Sequence, residues 1–261
     1  MAHQNFFLKI FARALESSGF VFRTARDNSE IDWNAAWHLA WVGPMKWRAY
    51  GRNAILIEFA ENPDEGAFEI CRALVQALSE QPIPFLTEFV PGYTTILLEF
   101  ALPEGQTLAE LARASLEILE KHTTAPLPPG PLHRVAVRYD GPDLARVAEH
   151  HGLSEDQAIA IHSACIYRVH LLGFSPGFPY LGGLDPRLST PRLPSPRPRV
   201  PAGSIAIGGD HTGIYSVDSP GGWNIIGRTD FRPFEPARAA GSEPEKAFAL
   251  KAGDRVRFEP V

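Results

Sequence analysis

Two stretches concentrate side chains that can do chemistry. PRLPSPRPRVPAGS, residues 191–204, sets Arg192, Arg197 and Arg199 in a run stiffened by five prolines. A guanidinium offers a rigid fork of donors that binds carboxylate or phosphate through two parallel hydrogen bonds. A pre-set backbone lowers the entropy cost of holding that fork in place. A solvated basic loop fits the same pattern. SPGGWNIIGRTD, residues 219–230, adds Ser219, a Gly-Gly pair, Trp223 and Arg228. A tryptophan beside two glycines can floor a pocket, although a core aromatic over a tight turn is the commoner case.

A third stretch invites a different chemistry. GFSPGFPYLGGL, residues 173–184, contains G-x-S-x-G at Gly173, Ser175 and Gly177. In a nucleophile elbow the residue after the serine donates its backbone N–H to the oxyanion hole, and the turn leads into a helix. Here that residue is Pro176, which has no N–H, and Gly177-Phe178-Pro179 opposes a helix. The match reads as accidental. Gly177 and its neighbours read instead as positions for special backbone conformations or for close approach of a ligand.

Other chemistries find little support. The chain has no Gly-Lys dipeptide, hence no P-loop, and no G-x-G-x-x-G between a strand and a helix. Any nucleotide is expected on another chain. Neither H-E-x-x-H nor paired C-x-x-C occurs, so no metal is expected. His162 and Cys165 are three apart and can touch on a helix, but two groups do not make a site. His150 and His151 are adjacent and are expected to point apart.

The elements that must position these residues follow from periodicity. AILIEFA (54–60) reads as a strand and DEGAFEICRALVQALSE (64–80) as an amphipathic helix. FLTEFV and TTILLEFA flank Pro91-Gly92 as a hairpin, and TLAELARASLEILEKH (107–122) is a second helix capped by Thr107 with Glu110. This is a small α+β unit with two helices on one face of a sheet. TAPLPPGPL (124–132) carries four prolines and reads as a linker. A strand at 134–141, a helix from Pro142 to about His151, a helix at 154–164 capped by Ser154, and a strand at 166–174 come next. Residues 173–227 then hold 11 of the 22 glycines and 9 of the 24 prolines, with no Lys or Glu. That is the texture of short strands and tight turns in a barrel or sandwich. GDRVRFEPV closes the chain as a strand. At the other end Trp33, Trp37 and Trp41 recur every four residues, one aromatic stripe on a helix, and residues 1–44 read as a leader poorly integrated with the rest.

Composition sets the frame. The 261 residues, 44% hydrophobic and 21% charged, suit one large or two modest soluble domains. A net charge of -5 argues against a nucleic-acid binder. Two cysteines cannot make a disulfide framework and fit a reducing cytosol, and no run is long enough to span a membrane. A cytoplasmic protein is expected.

At this point a resemblance becomes specific. LGFSPGFPYLGGL, PRVPAGSIAIGGDHTGIYSVDSPGGWNIIGRT and GDRVRF resemble the allophanate hydrolase subunit 1 (KipI-type) family, whose bacterial members include the B component of 5-oxoprolinase. YDGPDLARVAEHHGLSEDQAIAIHSACIYRV is similar to the stretch leading into that core, and WRAYGRNAILIEFAE to the family's usual start. The likeness spans residues 45–261. It implies an α+β fold: a small ferredoxin-like N-terminal domain (45–125) and a cyclophilin-like β-barrel (133–261), with residues 1–44 outside both. It implies a protein active only within a complex, cleaving 5-oxo-L-proline to L-glutamate at the expense of ATP. Its implied partners are a C component with a homologous barrel and an A component. ATP would be held by a partner chain. The resemblance further implies that Arg197 or Arg199 grips the substrate carboxylate, with Arg192, Gly177 and Trp223 completing the binding set. His162, Tyr215, Ser219 and Arg228 would surround the reacting carbonyl. Two alternatives stay open: a carboxyltransferase-type component related to urea carboxylase, and a KipI-like inhibitor of a sensor histidine kinase. Cyclophilin likeness carries no warrant for prolyl isomerisation, because function lives in the site.

Overall fold

A tight turn opens the described part of the chain. The structure, a computed structural model, describes residues 45–122, 127–240 and 244–261, so the tryptophan stripe and the leader lie outside it. β1 (Lys46–Tyr50) turns at Gly51, whose φ of +72° favours glycine, into β2 (Ala54–Glu58). α1 (Glu65–Glu80) starts where the Asp64 carboxylate accepts from the Ala67 N–H at 2.8 Å. β3 (Leu86–Pro91) and β4 (Thr95–Phe100) form the expected hairpin. α2 (Leu108–Leu119) carries the Thr107–Glu110 capping box read from the sequence. The sheet order is β1-β2-β4-β3, antiparallel throughout. Ile55 and Ile57 on β2, with Ile96, Leu98 and Phe100 on β4, point to one face, where Leu74 and Leu78 of α1 and Leu111 of α2 cover them. Burying each such side chain is worth about 1.5–3 kcal/mol. β1 was not expected. KWRAY is exposed along its length, so it carries no alternation to read.

The chain divides into two compact units between Pro128 and Pro129. The second unit opens with β5 (Leu132–Val137), α3 (Leu144–His150) and α4 (Glu155–Ala164), the last with a Ser154–Gln157 capping box. Short strands and one short helix follow: β6 (Tyr167–Leu172), β7 (Pro179–Gly182), β8 (Arg197–Val200), β9 (Ser204–Gly208), β10 (His211–Ile214), β11 (Ser219–Gly221), β12 (Asn224–Arg228), α5 (Pro236–Ala239) and β13 (Arg255–Pro260). Seven strands make one sheet in the order β12-β9-β10-β7-β6-β13-β5, and β8 pairs separately with β11. The outer strands meet through Arg138 and Arg228, which exchange two backbone hydrogen bonds of 2.9 Å. The sheet is therefore nearly closed and barrel-like, which hides edges that would otherwise recruit other strands. No helix among the described residues is long and apolar enough to cross a membrane.

Candidate functional site

Strand alternation gives the seven-stranded sheet two unlike faces. On one face Ile205, Ile207, Ile214, Leu181, Val169, Val256 and Phe258 pack with Val147 of α3 and Ala158 of α4. His162 lies in this aliphatic core at 0% exposure. The Tyr139 hydroxyl is 2.8 Å from Nδ1, and Nε2 is 3.0 Å from Thr212 Oγ1. Thr212 donates its own proton to the Ala206 carbonyl at 3.0 Å. Thr212 Oγ1 must then accept from Nε2–H, which leaves Nδ1 to accept from Tyr139. That network fits a neutral ring, and burial pushes the imidazole pKa down to about 3. His162 has the geometry of a brace between α4 and β10. His150 and His151 do not point apart as expected. Their rings meet edge-on at 4.8 Å, because His151 has left the helix at φ -111°, ψ 6° and turns its side chain back.

The other face is aromatic. Phe178, Tyr215 and Trp223 pack with Val200, Ala206 and Ile225, and Tyr180 lies against them. The rings settle onto the backbone because the strands beneath carry glycine. A Cβ on Gly208 would stand 2.5 Å from the Trp223 indole, and one on Gly182 would fall inside the His170 ring. Much of the glycine content thus provides seats for rings. Trp223 contacts Phe178 at 5.4 Å and Tyr180 at 5.8 Å, and Tyr180 contacts His211 at 6.3 Å, all near-perpendicular. Phe174 leans on Phe178 and Tyr215 from a loop, 42% exposed and at φ +64°. A bulky side chain in that region is strained and needs surrounding structure to hold it. Burial raises the Tyr215 pKa, opposed by a backbone hydrogen bond from Trp223 and by the charges of Arg192 and Arg197.

The four candidate arginines separate sharply. Arg197 donates to the Asp143 carboxylate at 2.7 Å, and the other Asp143 oxygen accepts from the Ile225 N–H at 2.7 Å. Through Asp143 these two bonds tie the start of α3 to β8 and β12. Arg199 is exposed and meets one oxygen of Asp218 at 2.6 Å, while the second accepts from Ala202. Arg228 is exposed and pairs with Asp140 at 2.7 Å. Arg192 has no carboxylate partner among the described residues; its guanidinium lies over the Trp223 ring, 5.8 Å from the centroid. The structure thus gathers Arg192, Tyr215 and Trp223, with Arg197 close by. It leaves Arg199 at the surface and His162 on the opposite face.

Residues 45–243 match the family described as the carboxyltransferase domain, subdomain C and D. The chain belongs to this family. It is 39% identical over 213 residues to a protein of Escherichia coli O157:H7 named as the B component of 5-oxoprolinase, covering 80% of this chain and 93% of that one. Among solved structures it resembles TTHA0988 with a TM-score of 0.68 and 39% identity, covering 80% of this chain but only 40% of that longer one. The Kluyveromyces lactis urea carboxylase matches with a TM-score of 0.62 at 18% identity, over 83% of this chain and 22% of that one, which shows the fold alone.

In this carboxyltransferase-family chain Ser175, Ser216 and Ser219 are buried. Ser175 and Ser216 share a hydrogen bond of 3.2 Å, which with Pro176 removes any case for a Ser175 nucleophile. Ser219 is 8% exposed, and its hydroxyl has no partner among the described residues. Gly177, at φ +73°, turns the loop that carries Phe174. Arg228 stands apart, in a cleft of about 440 Å³ at the barrel seam, lined also by Arg134, Arg138, Thr229, Asp230 and Phe231. Arg134 and Arg228 there are matched by Glu259 and Asp140. Among the described residues no group of three or more His, Cys, Asp or Glu could hold a metal ion. Sequence reading missed His170, Tyr180, Asp210 and His211. The signal was the alternation along HTGI and PYLG, which places His211 and Tyr180 opposite the aliphatic positions.

Proposed function

We propose that this chain is the B component of a multi-protein, ATP-dependent 5-oxoprolinase that opens 5-oxo-L-proline to L-glutamate with its A and C components in the cytoplasm. The observation that carries the reading is the 39% identity to a protein of that name over 93% of its length. The site supports it independently. A lactam carboxylate needs a cation not already held by a carboxylate, and Arg192, which has no carboxylate partner among the described residues, is such a cation above an aromatic face. Trp223 and Tyr215 form the wall beneath it, and the buried Ser219 hydroxyl has capacity for a polar atom of a ligand. Arg197 holds the wall through Asp143. His162 acts as a brace, and Arg199 is peripheral.

The chain's own residues do not suit a triphosphate. The described α-helices carry Asp64, Glu110, Asp143, Glu155 with Asp156, and Glu235 at the cap or in the first turn, carboxylates that oppose an anion where a helix would otherwise bind one. ATP therefore belongs to a partner, and this chain binds and orients the lactam. The order β1-β2-β4-β3 with two helices on one face supports the ferredoxin-like reading of residues 45–125, and the nearly closed sheet supports a cyclophilin-like barrel over 133–261. The test is glutamate production from 5-oxoproline and ATP by this chain with its A and C partners. Turnover only in the full mixture supports the proposal. An assembled complex that makes no glutamate overturns it.

A further inference from the structure

We infer that Asp210 and His211 form a carboxylate–imidazole pair that handles the proton of lactam opening, an inference that rests on the 5-oxoprolinase reading. β9 and β10 are joined by a two-residue turn, Gly209-Asp210, with Gly208 opposite His211. This hairpin places a carboxylate directly beside the first residue of β10. Asp210 Oδ1 is 2.6 Å from His211 Nδ1. An ionised carboxylate only accepts, so Nδ1 carries the proton and Nε2 is the basic nitrogen of the neutral ring. The hydrogen bond from His211 is the largest influence holding the Asp210 carboxyl below its usual range. The His211 side chain is 20% exposed, so it is fixed by its surroundings yet open to small molecules. It joins the same ring row as Tyr180 and Trp223, with His170 5.9 Å away on the neighbouring side. The described groups facing it include Asp210, His170 and Tyr180, and Arg192 lies further along the row beyond Trp223. The row therefore carries a cation toward one end and an oriented base toward the other.

The proton accounting is direct. The γ-phosphoryl group of ATP held on a partner passes to the lactam oxygen with release of ADP; water then adds its oxygen to the lactam carbon and passes one proton to His211 Nε2. The C–N bond then breaks with its electron pair going to nitrogen, which takes that proton back from the imidazolium. An acyl phosphate and an amine result, the imidazole is regenerated, and a second water releases the carboxylate and inorganic phosphate.

The test uses the reconstituted complex. H211Q is expected to lower kcat by about 100-fold or more with a smaller change in KM. D210N is expected to lower kcat about 10-fold with little change in KM, because the ring loses the carboxylate that orients it. Thermal unfolding of both variants should match the parent protein. A role in holding the hairpin alone would change melting and leave kcat of the folded fraction in place, which overturns the inference. Wild-type turnover with an unchanged H211Q overturns it while the 5-oxoprolinase reading stands. A silent wild-type complex overturns both.

Discussion

His162 and His211 lie on opposite faces of one sheet, and the contrast shows what each face is for. Thr212 and His211 are neighbours on β10, so their side chains point opposite ways. Thr212 reaches into the aliphatic core and holds His162 neutral and fully enclosed. His211 turns toward the aromatic face, pairs with a surface carboxylate and keeps access to solvent. The aliphatic face builds stability, and the aromatic face supplies the chemistry. Substitutions on the first should change folding alone; substitutions on the second should change turnover as well.

The largest effect expected is from Trp223→Ala. Removing that ring should cost about 3–5 kcal/mol of stability in chemical denaturation and should also abolish turnover. Ile207→Ala on the opposite face should cost about 2–5 kcal/mol while the folded fraction keeps its KM. Equal kinetic damage from both would dissolve the distinction between faces. Gly208→Ala comes next. The added methyl meets the Trp223 indole at 2.5 Å, and an overpacked ring seat should cost about 1–3 kcal/mol in thermal unfolding.

The acid limb of stability sharpens the comparison. Burial holds the folded His162 near 3 against an ordinary 6.5, so the unfolded chain binds the extra proton between those values. The stability His162 contributes is complete above about pH 6.5 and declines as pH falls toward 3, by up to roughly 1.4 kcal/mol per pH unit. H162Q should flatten that slope relative to the parent in pH-dependent urea titrations. An unchanged slope would place His162 outside the core. Smallest of all, Ser219→Ala should alter stability by less than about 0.5 kcal/mol, since it removes a hydroxyl with no described partner. A rise in KM without a change in melting would show that the hydroxyl meets substrate.

Much of this was readable in advance, for identifiable reasons. The Thr107–Glu110 capping box and the Ser154 cap are local and appeared where expected, the latter extended to a box by Gln157. The arginines and Trp223 stood out because charge and aromaticity are concentrated in a glycine- and proline-rich stretch. β1 was hidden because an exposed edge strand needs no apolar pattern. The choice among the arginines was hidden because Asp143, 54 residues from Arg197, and Asp218, 19 from Arg199, become partners only through folding. His211 and Tyr180 alternate legibly along HTGI and PYLG, but which side chains share their face was hidden because it depends on register, and bulges on β6 between Val169 and Leu171 and on β12 between Ile225 and Gly227 shift it.

The most direct test of the substrate face is to compare Arg192→Met with Arg199→Met in the reconstituted complex, reading KM for 5-oxo-L-proline from glutamate production. Loss of one charge-assisted contact predicts a rise in KM of about 10- to 100-fold for Arg192→Met and no change for Arg199→Met. The reverse order, or no rise for Arg192→Met, would contradict the assignment of the carboxylate to the aromatic face.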